Sequence, residues 1–353
     1  MRSPILSAIK IVIVISILAA LGVAGYMAYS RLPAILNELV APPSKPTAPA
    51  GEEVIVTIPK GASLSQVGTV LQEKGVISSR LLFKLVAIIR GEQRKIKAGD
   101  YALKTGSDAG DVLDQLISGK TLMISLTVPE GFDMFQVADL FNQAGIMSRE
   151  DFLTAAKDQV FLKELNVDAD SLEGYLFPDT YFMRPSEKGD GKLIIRKMVQ
   201  RFHEVYDKHA RQIAEGNGWT TLQVVTMASL IEKEARASEH SLVSAVFHNR
   251  LRNNMRLQSD PTAIYGIKPM GSKITRDDLN RKQPYNTYQN AGLPPGPIAN
   301  PGKESLIGAV KPADVDYLYF VAKNDGSHQF SSNLQEHNRW VNLYQRQPRT
   351  NVQ

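Results

Sequence analysis

A strand–turn–helix unit occurs twice in this chain, and the two copies align without a gap. Thr57-Ile-Pro-Lys-Gly61, Gln66-Val67, Gly75-Val76 and Ser78 return seventy positions later as Thr127-Val-Pro-Glu-Gly131, Gln136-Val137, Gly145-Ile146 and Ser148. Each copy reads as a strand, a Pro-x-Gly turn and an amphipathic helix stopped by glycine. In the first copy Ser63 and Gln66 have capping-box spacing, and Leu64, Val67, Val70 and Leu71 form the stripe that should face a core. Between the copies, Lys97-Ala-Gly-Asp-Tyr101 reads as a turn into a strand, and Asp111 to Leu116 as a short helix ending at Gly119-Lys120. Beyond Phe152 the pattern is mainly helical, clearest over Lys192–Glu215, Thr221–Arg236 and Ser241–Arg252. Tyr317–Ala322 and His328–Phe330 read as a β-hairpin turning at Asn324–Ser327. The fold class expected is therefore α+β.

The first 31 residues carry a different signal. Arg2 and Lys10 precede an apolar run from Ile11 to about Ala28, a length that spans a bilayer. With the amino terminus, these charges outweigh Arg31, so the N-terminus is expected in the cytoplasm and the rest outside, in a single pass through the inner membrane. A cleaved signal peptide is the competing reading. The run is long for one, and Ala24-Gly25-Tyr26 and Ala28-Tyr-Ser30 make poor cleavage sites. Residues 32–51 follow as a proline-rich spacer that would hold the body off the membrane. The 353 residues include no cysteine, which excludes disulfides and thiolate metal sites. A net charge of +5 would suit an anionic wall polymer or simply a solvated basic surface, and no basic run interleaved with aromatics points to nucleic acid.

The stretch Met227–Glu234 places a carboxylate where an apolar residue belongs. At 100° per residue, Val224, Met227, Leu230, Ile231 and Glu234 share a helix face, whereas Glu232 turns away beside Ala228 and Arg236. Glu232 is expected in water and Glu234 against apolar neighbours, where desolvation raises a carboxyl pKa toward the range of a general acid. The structural alternative is a glutamate at the helix rim paired with an arginine. Other chemistries fit worse. His203-Glu204 has its next histidine at His209, off the spacing of a helical metal pair, and His240 with His248 make a weak case alone. Ser7-x-x-Lys10 and Lys104-Thr-Gly106 mimic a serine acyltransferase, but the first lies at the membrane entry and cannot join the second.

Around this helix stand Glu173-Gly-Tyr-Leu-Phe-Pro-Asp-Thr-Tyr181, Phe247-His-Asn-Arg-Leu251, Met255-Arg-Leu-Gln-Ser-Asp-Pro-Thr262, Tyr265-Gly266, Tyr285-Asn-Thr-Tyr288, Gly292-Leu-Pro-Pro-Gly-Pro-Ile298 and Asn300-Pro-Gly302. In this order they resemble the endolytic murein transglycosylase family, the YceG-like proteins, over nearly the whole chain to Trp340. The strand–helix repeats also resemble LysM-like modules that bind N-acetylglucosamine chains, although a recurrent packing unit without glycan contact explains them equally.

The resemblance implies residues 1–31 as cytoplasmic tip and transmembrane helix, 52–121 as a LysM-like α/β subdomain, and 122–348 as a larger catalytic α+β domain, with the boundary near Leu122. It implies an enzyme that cuts the β-1,4 bond between N-acetylmuramic acid and N-acetylglucosamine in nascent strands and leaves 1,6-anhydro ends. Glu234 would be the single catalytic acid and base. Glu173, Asp179, Gln258, Asp260, Tyr285, Asn286, Thr287 and Tyr288 would bind the glycan; loop capping is the alternative for Gln258 and Asp260. Tyr175 and Tyr181 are read as packing residues. Penicillin-binding synthases are the implied partners, and no metal or organic cofactor is expected. A muramidase using water, or a non-catalytic wall-binding anchor, are the rival readings.

Overall fold

The computed structural model describes residues 51–346 together with Tyr26 and Ser30. Apart from Tyr26, Ser30 and Gly51, the expected anchor and spacer lie outside the described residues. Among the described residues no helix is long and apolar enough to cross a membrane. The fold is α+β, and it divides at Met123/Ile124, with Arg184–Ser186 returning to the first unit.

In the first unit, strand β1 (Glu53–Ile58) is followed by helices α1 (Leu64–Glu73) and α2 (Arg80–Ile89), then strand β2 (Gly99–Lys104) and helix α3 (Ala109–Ser118). The strands pair antiparallel, Glu53 opposite Lys104 and Ile58 opposite Gly99. Ser63 caps α1 and closes a capping box with Gln66. Val67 and Leu71 are buried from the helix, against Val56, Ile58, Phe83 and Leu113 in one core. Buried Tyr101 satisfies its hydroxyl by donating to the carbonyls of Lys97 and Leu116, at 2.8 and 3.2 Å.

The second unit opens by repeating this plan. Strand β3 (Ile124–Thr127) leads to helices α4 (Met134–Gln143), α5 (Arg149–Ala155) and α6 (Gln159–Glu164) before its antiparallel partner β4 (Thr180–Met183). Asp133 caps α4, again with a box closed by Gln136, three residues into the helix. Gly75 and Gly145, the corresponding helix stops, both hold left-handed backbone (φ +71° and +62°) that a side chain would resist.

Helices α7 (Gly191–His209), α8 (Arg211–Gly216), α9 (Thr221–Glu234), α10 (His240–Arg252), α11 (Arg276–Asn280) and α12 (Lys303–Val310) follow, then hairpin β5 (Tyr319–Ala322) with β6 (His328–Ser331) and helix α13 (Leu334–Val341). The expected continuous helix Lys192–Glu215 is interrupted, because Ala210 takes φ −125° and ψ −37° and the chain restarts at Arg211. The Glu234 helix stops two residues earlier than expected, as Ala235 swings to extended backbone (φ −146°, ψ 168°). α9 is the centre of this unit, packed chiefly against α12 and also α10. Every residue from Val224 to Ile231 is buried, polar Thr226 and Ser229 included. Burial all round makes α9 a core helix rather than an amphipathic one.

Candidate active site

Both acidic side chains at the end of α9 are half-buried, so the single-face picture fails for Glu232. Its carboxylate is held by the protein: Oε2 accepts from the Gly302 N–H at 3.0 Å and the Ser305 hydroxyl at 2.6 Å. Gly302 has no side chain to cap α12, and Glu232 supplies the missing anionic acceptor from another helix. The Ser305 hydroxyl also meets His240 Nδ1 at 3.1 Å, and His240 Nε2 donates to the Ala235 carbonyl at 3.0 Å. This chain of contacts fixes the backbone next to Glu234.

Glu234 points the other way, into a cleft of about 480 Å³. Burial pushes its carboxyl up from the ordinary 4.5 to about 7, and the negative charge of Asp260 adds to the rise. The C-terminal end of a helix, where carbonyl dipoles converge, disfavours an anion in the same sense. The Ser259 hydroxyl donates to Glu234 Oε1, while nearby Arg250 and the Asp260 backbone N–H limit the shift. A carboxyl balanced near neutrality can both give and retrieve a proton.

The residues under Glu234 explain why Ser259 is there. Ser259 is buried, and its N–H donates to Thr287 Oγ1 at 2.9 Å. The Thr262 hydroxyl donates to the Ser259 carbonyl at 2.5 Å and lies 2.9 Å from Thr287 Oγ1. Asn286 is fully buried and donates its amide to the carbonyls of Asp278, Leu279 and Arg281. Its Oδ1 accepts the Tyr288 N–H at 3.0 Å, which sets Tyr288 in the cleft wall. Tyr288 donates its hydroxyl to Asp260 Oδ1, and burial pushes the phenol pKa up. Gln258 has left-handed backbone (φ +51°), a strained conformation for a residue with a side chain, and lies exposed at the same cleft.

The expected site residues thus separate into two groups. Glu234, Gln258, Asp260 and Tyr288 line one cleft. Asn286 and Thr287 lie beneath it, and their hydrogen bonds are used by the protein itself. Glu173 is 2% exposed and filled with donors: Met134 N–H reaches both oxygens, Tyr265 O–H sits at 2.8 Å and the Asn300 amide at 3.3 Å. Burial pushes Glu173 up to about 8 against these donors. It ties the start of α4 to two loops and does not reach the cleft. Asp179 pairs with Arg201 at 3.0 Å on the exposed surface. Tyr285 meets the Tyr265 ring at 4.7 Å, tilted by 50°, and opens onto a separate hollow beside Pro295 and Pro297. Tyr175 and Tyr181 are buried, Tyr181 donating to the Phe177 carbonyl.

Half of the cleft escaped the sequence reading. Arg250 is 8% exposed, donates to the carbonyls of Leu318 (2.7 Å) and Leu257 (2.6 Å), and lies over the Tyr319 ring. Through these bonds it joins the Ser259 loop to hairpin β5–β6. Tyr319 to Ala322, His328 and the inner side of α13 form the opposite wall. The available signal for Arg250 was its place in the motif Phe247–Leu251; no spacing links the hairpin to Glu234.

The YceG-like family model matches residues 56–343, which include Glu234 and every cleft residue named above. The chain belongs to the YceG-like family. An endolytic murein transglycosylase from Bacillus subtilis is 34% identical over 310 residues, covering 82% of this chain and 84% of that protein. Another from Streptococcus pneumoniae is 29% identical and covers 92% of this chain but 63% of its own length. A crystal structure of a YceG-like protein from Listeria monocytogenes superposes with a TM-score of 0.57 at 33% identity, over 82% of this chain and all of that one.

Proposed function

We infer that this YceG-like chain is an endolytic peptidoglycan lytic transglycosylase, with Glu234 as its proton donor and acceptor. The observation that carries the reading is a carboxyl raised to about 7 at the C-terminal end of a core helix, opening onto a cleft of a size that takes a ligand. Protonated Glu234 gives its proton to the glycosidic oxygen as the C1–O bond breaks. The resulting carboxylate takes a proton from the 6-hydroxyl of the same muramic residue, whose oxygen closes on C1. No water is consumed and Glu234 returns to its starting state, so one carboxyl suffices where a hydrolase uses two. Asp260, Gln258 and Tyr288 contact the sugar in this scheme, and Thr287 acts through Ser259 as a positioning residue.

Purified full-length protein should convert glycan strands into fragments with 1,6-anhydro ends. Each is one water lighter than the hydrolytic product, which mass spectrometry resolves. Reducing ends in their place would assign the chain as a muramidase.

The repeat and the N-terminal run support finer proposals. The β–α–α–β order of the first unit supports the LysM-like reading, in which this unit would hold glycan. The apolar run Ile11–Ala28 anchors the chain in the inner membrane, with the body outside. Tethering concentrates the enzyme where synthases of the penicillin-binding class release new strands, so it terminates their elongation. A protein beginning at Gly51, exported in equal amount, should then leave cellular strands longer than the full chain does. Equal strand lengths would remove the tethering argument.

A further inference from the structure

One histidine in the cleft is oriented more firmly than packing alone requires. Glu239, in the 3₁₀ turn Ala237–Glu239 after Glu234's helix, grips His328 with both oxygens. Oε1 accepts the His328 backbone N–H at 3.0 Å, and Oε2 meets the ring Nδ1 at 2.8 Å. A carboxylate only accepts, so Nδ1 carries a proton, and in the neutral ring the lone pair is then on Nε2. Phe320 meets the ring edge-on at 5.4 Å and stops it turning. Both side chains of the pair are little exposed, 13% and 14%, and His328 lines the same cleft as Glu234. Nε2 has no hydrogen-bond partner among the described residues.

We propose that His328, held by Glu239, binds the glycan by accepting a hydrogen bond at Nε2 from a sugar hydroxyl or an N-acetyl amide N–H. The ligand class follows from the chemistry: an acceptor at Nε2 calls for a donor, and a polymer of N-acetylated sugars brings donors at every ring, while Tyr319, His337 and Asn338 add further polar groups to the same wall. A purely structural pair tying β6 to the turn needs only the backbone N–H and Nδ1. It has no use for an unbonded Nε2 on a ring that lines an open cleft. The inference rests on the glycan-cleaving reading of the Glu234 site.

The full chain carrying Glu234→Gln, which retains the cleft without the acid, is the protein to test, with soluble uncrosslinked glycan strands as the probe. In the nitrogen spectrum of its histidines, the Nε2 resonance of His328 should move on saturation with glycan. Adding His328→Ala should weaken binding about tenfold, the effect of a lost hydrogen bond. His328→Gln, whose side-chain carbonyl reaches the place of Nε2, should recover most of that loss. Thermal melting of each variant separates lost contact from lost fold. Unchanged affinity in a folded His328→Ala protein, or an Nε2 resonance indifferent to bound glycan, would overturn the inference while leaving Glu234 as the acid. A Glu234→Gln parent that binds no glycan, together with a wild type that cuts none, would overturn both.

Discussion

Glu234→Gln should lower glycan cleavage by about 10² to 10⁴-fold, toward the upper end because one group serves both proton transfers. The same variant should gain stability in alkali. Between 4.5 and about 7 the folded chain keeps a proton on Glu234 that the unfolded chain has released, so wild-type stability falls as pH rises through that window. Glutamine carries no charge to desolvate. The variant should therefore pull ahead of wild type between pH 5 and pH 8 by on the order of 1–3 kcal/mol. Melting temperatures of both proteins across that range give the answer, and parallel curves would mean that Glu234 is solvated in the folded chain. Glu232→Gln is the control. Its amide oxygen can still accept from Gly302 and Ser305, so both rate and stability should change little.

Gly174→Ala should unsettle the second unit although residue 174 touches no part of the cleft. The glycine has φ +84°, and a Cβ there would stand 2.5 Å from Val225 Cγ1 and 2.6 Å from Pro297 Cγ. Val225 is in the buried part of α9, and Pro297 belongs to the proline loop whose Ile298 N–H is held by the Ser229 hydroxyl at 3.1 Å. Neither neighbour is the loose end of a flexible side chain. Backbone strain and overpacking each cost about 1–3 kcal/mol, and here they coincide. Denaturant titration should show a loss of about 3 kcal/mol or more, with activity falling as the folded fraction falls. A near-neutral result would show that the loop can move away from α9.

The repeat was readable in the sequence because its signals are local. A cap, a glutamine three residues into the helix and a glycine at its end act within one turn of backbone, and both copies keep them at matching positions. Glu234 was readable for a related reason, as a carboxylate among apolar positions. The surrounding motifs were harder to interpret. Amides and hydroxyls suit a sugar, but they also suit a fold whose long loops must satisfy buried backbone groups. Asn286, Thr287 and Glu173 serve the second purpose, and composition cannot separate the two. Only burial does. Arg250 and the β5–β6 wall were hidden because their role depends on contacts across some seventy positions of chain, such as Arg250 to Leu318. Glu232 was misjudged because helical periodicity assigns a residue to a face without saying which neighbour, here α12, covers that face.

The order in which the cleft is assembled carries its own safeguard. Glu234 leaves the ribosome well before Tyr319, His328 and α13, and those later segments supply one whole wall. A chain interrupted between them would possess the acid yet lack the surface against which a strand must lie. The power to cut wall polymer thus arrives with the closing hairpin, so partial translation products of this protein should lack cleaving activity.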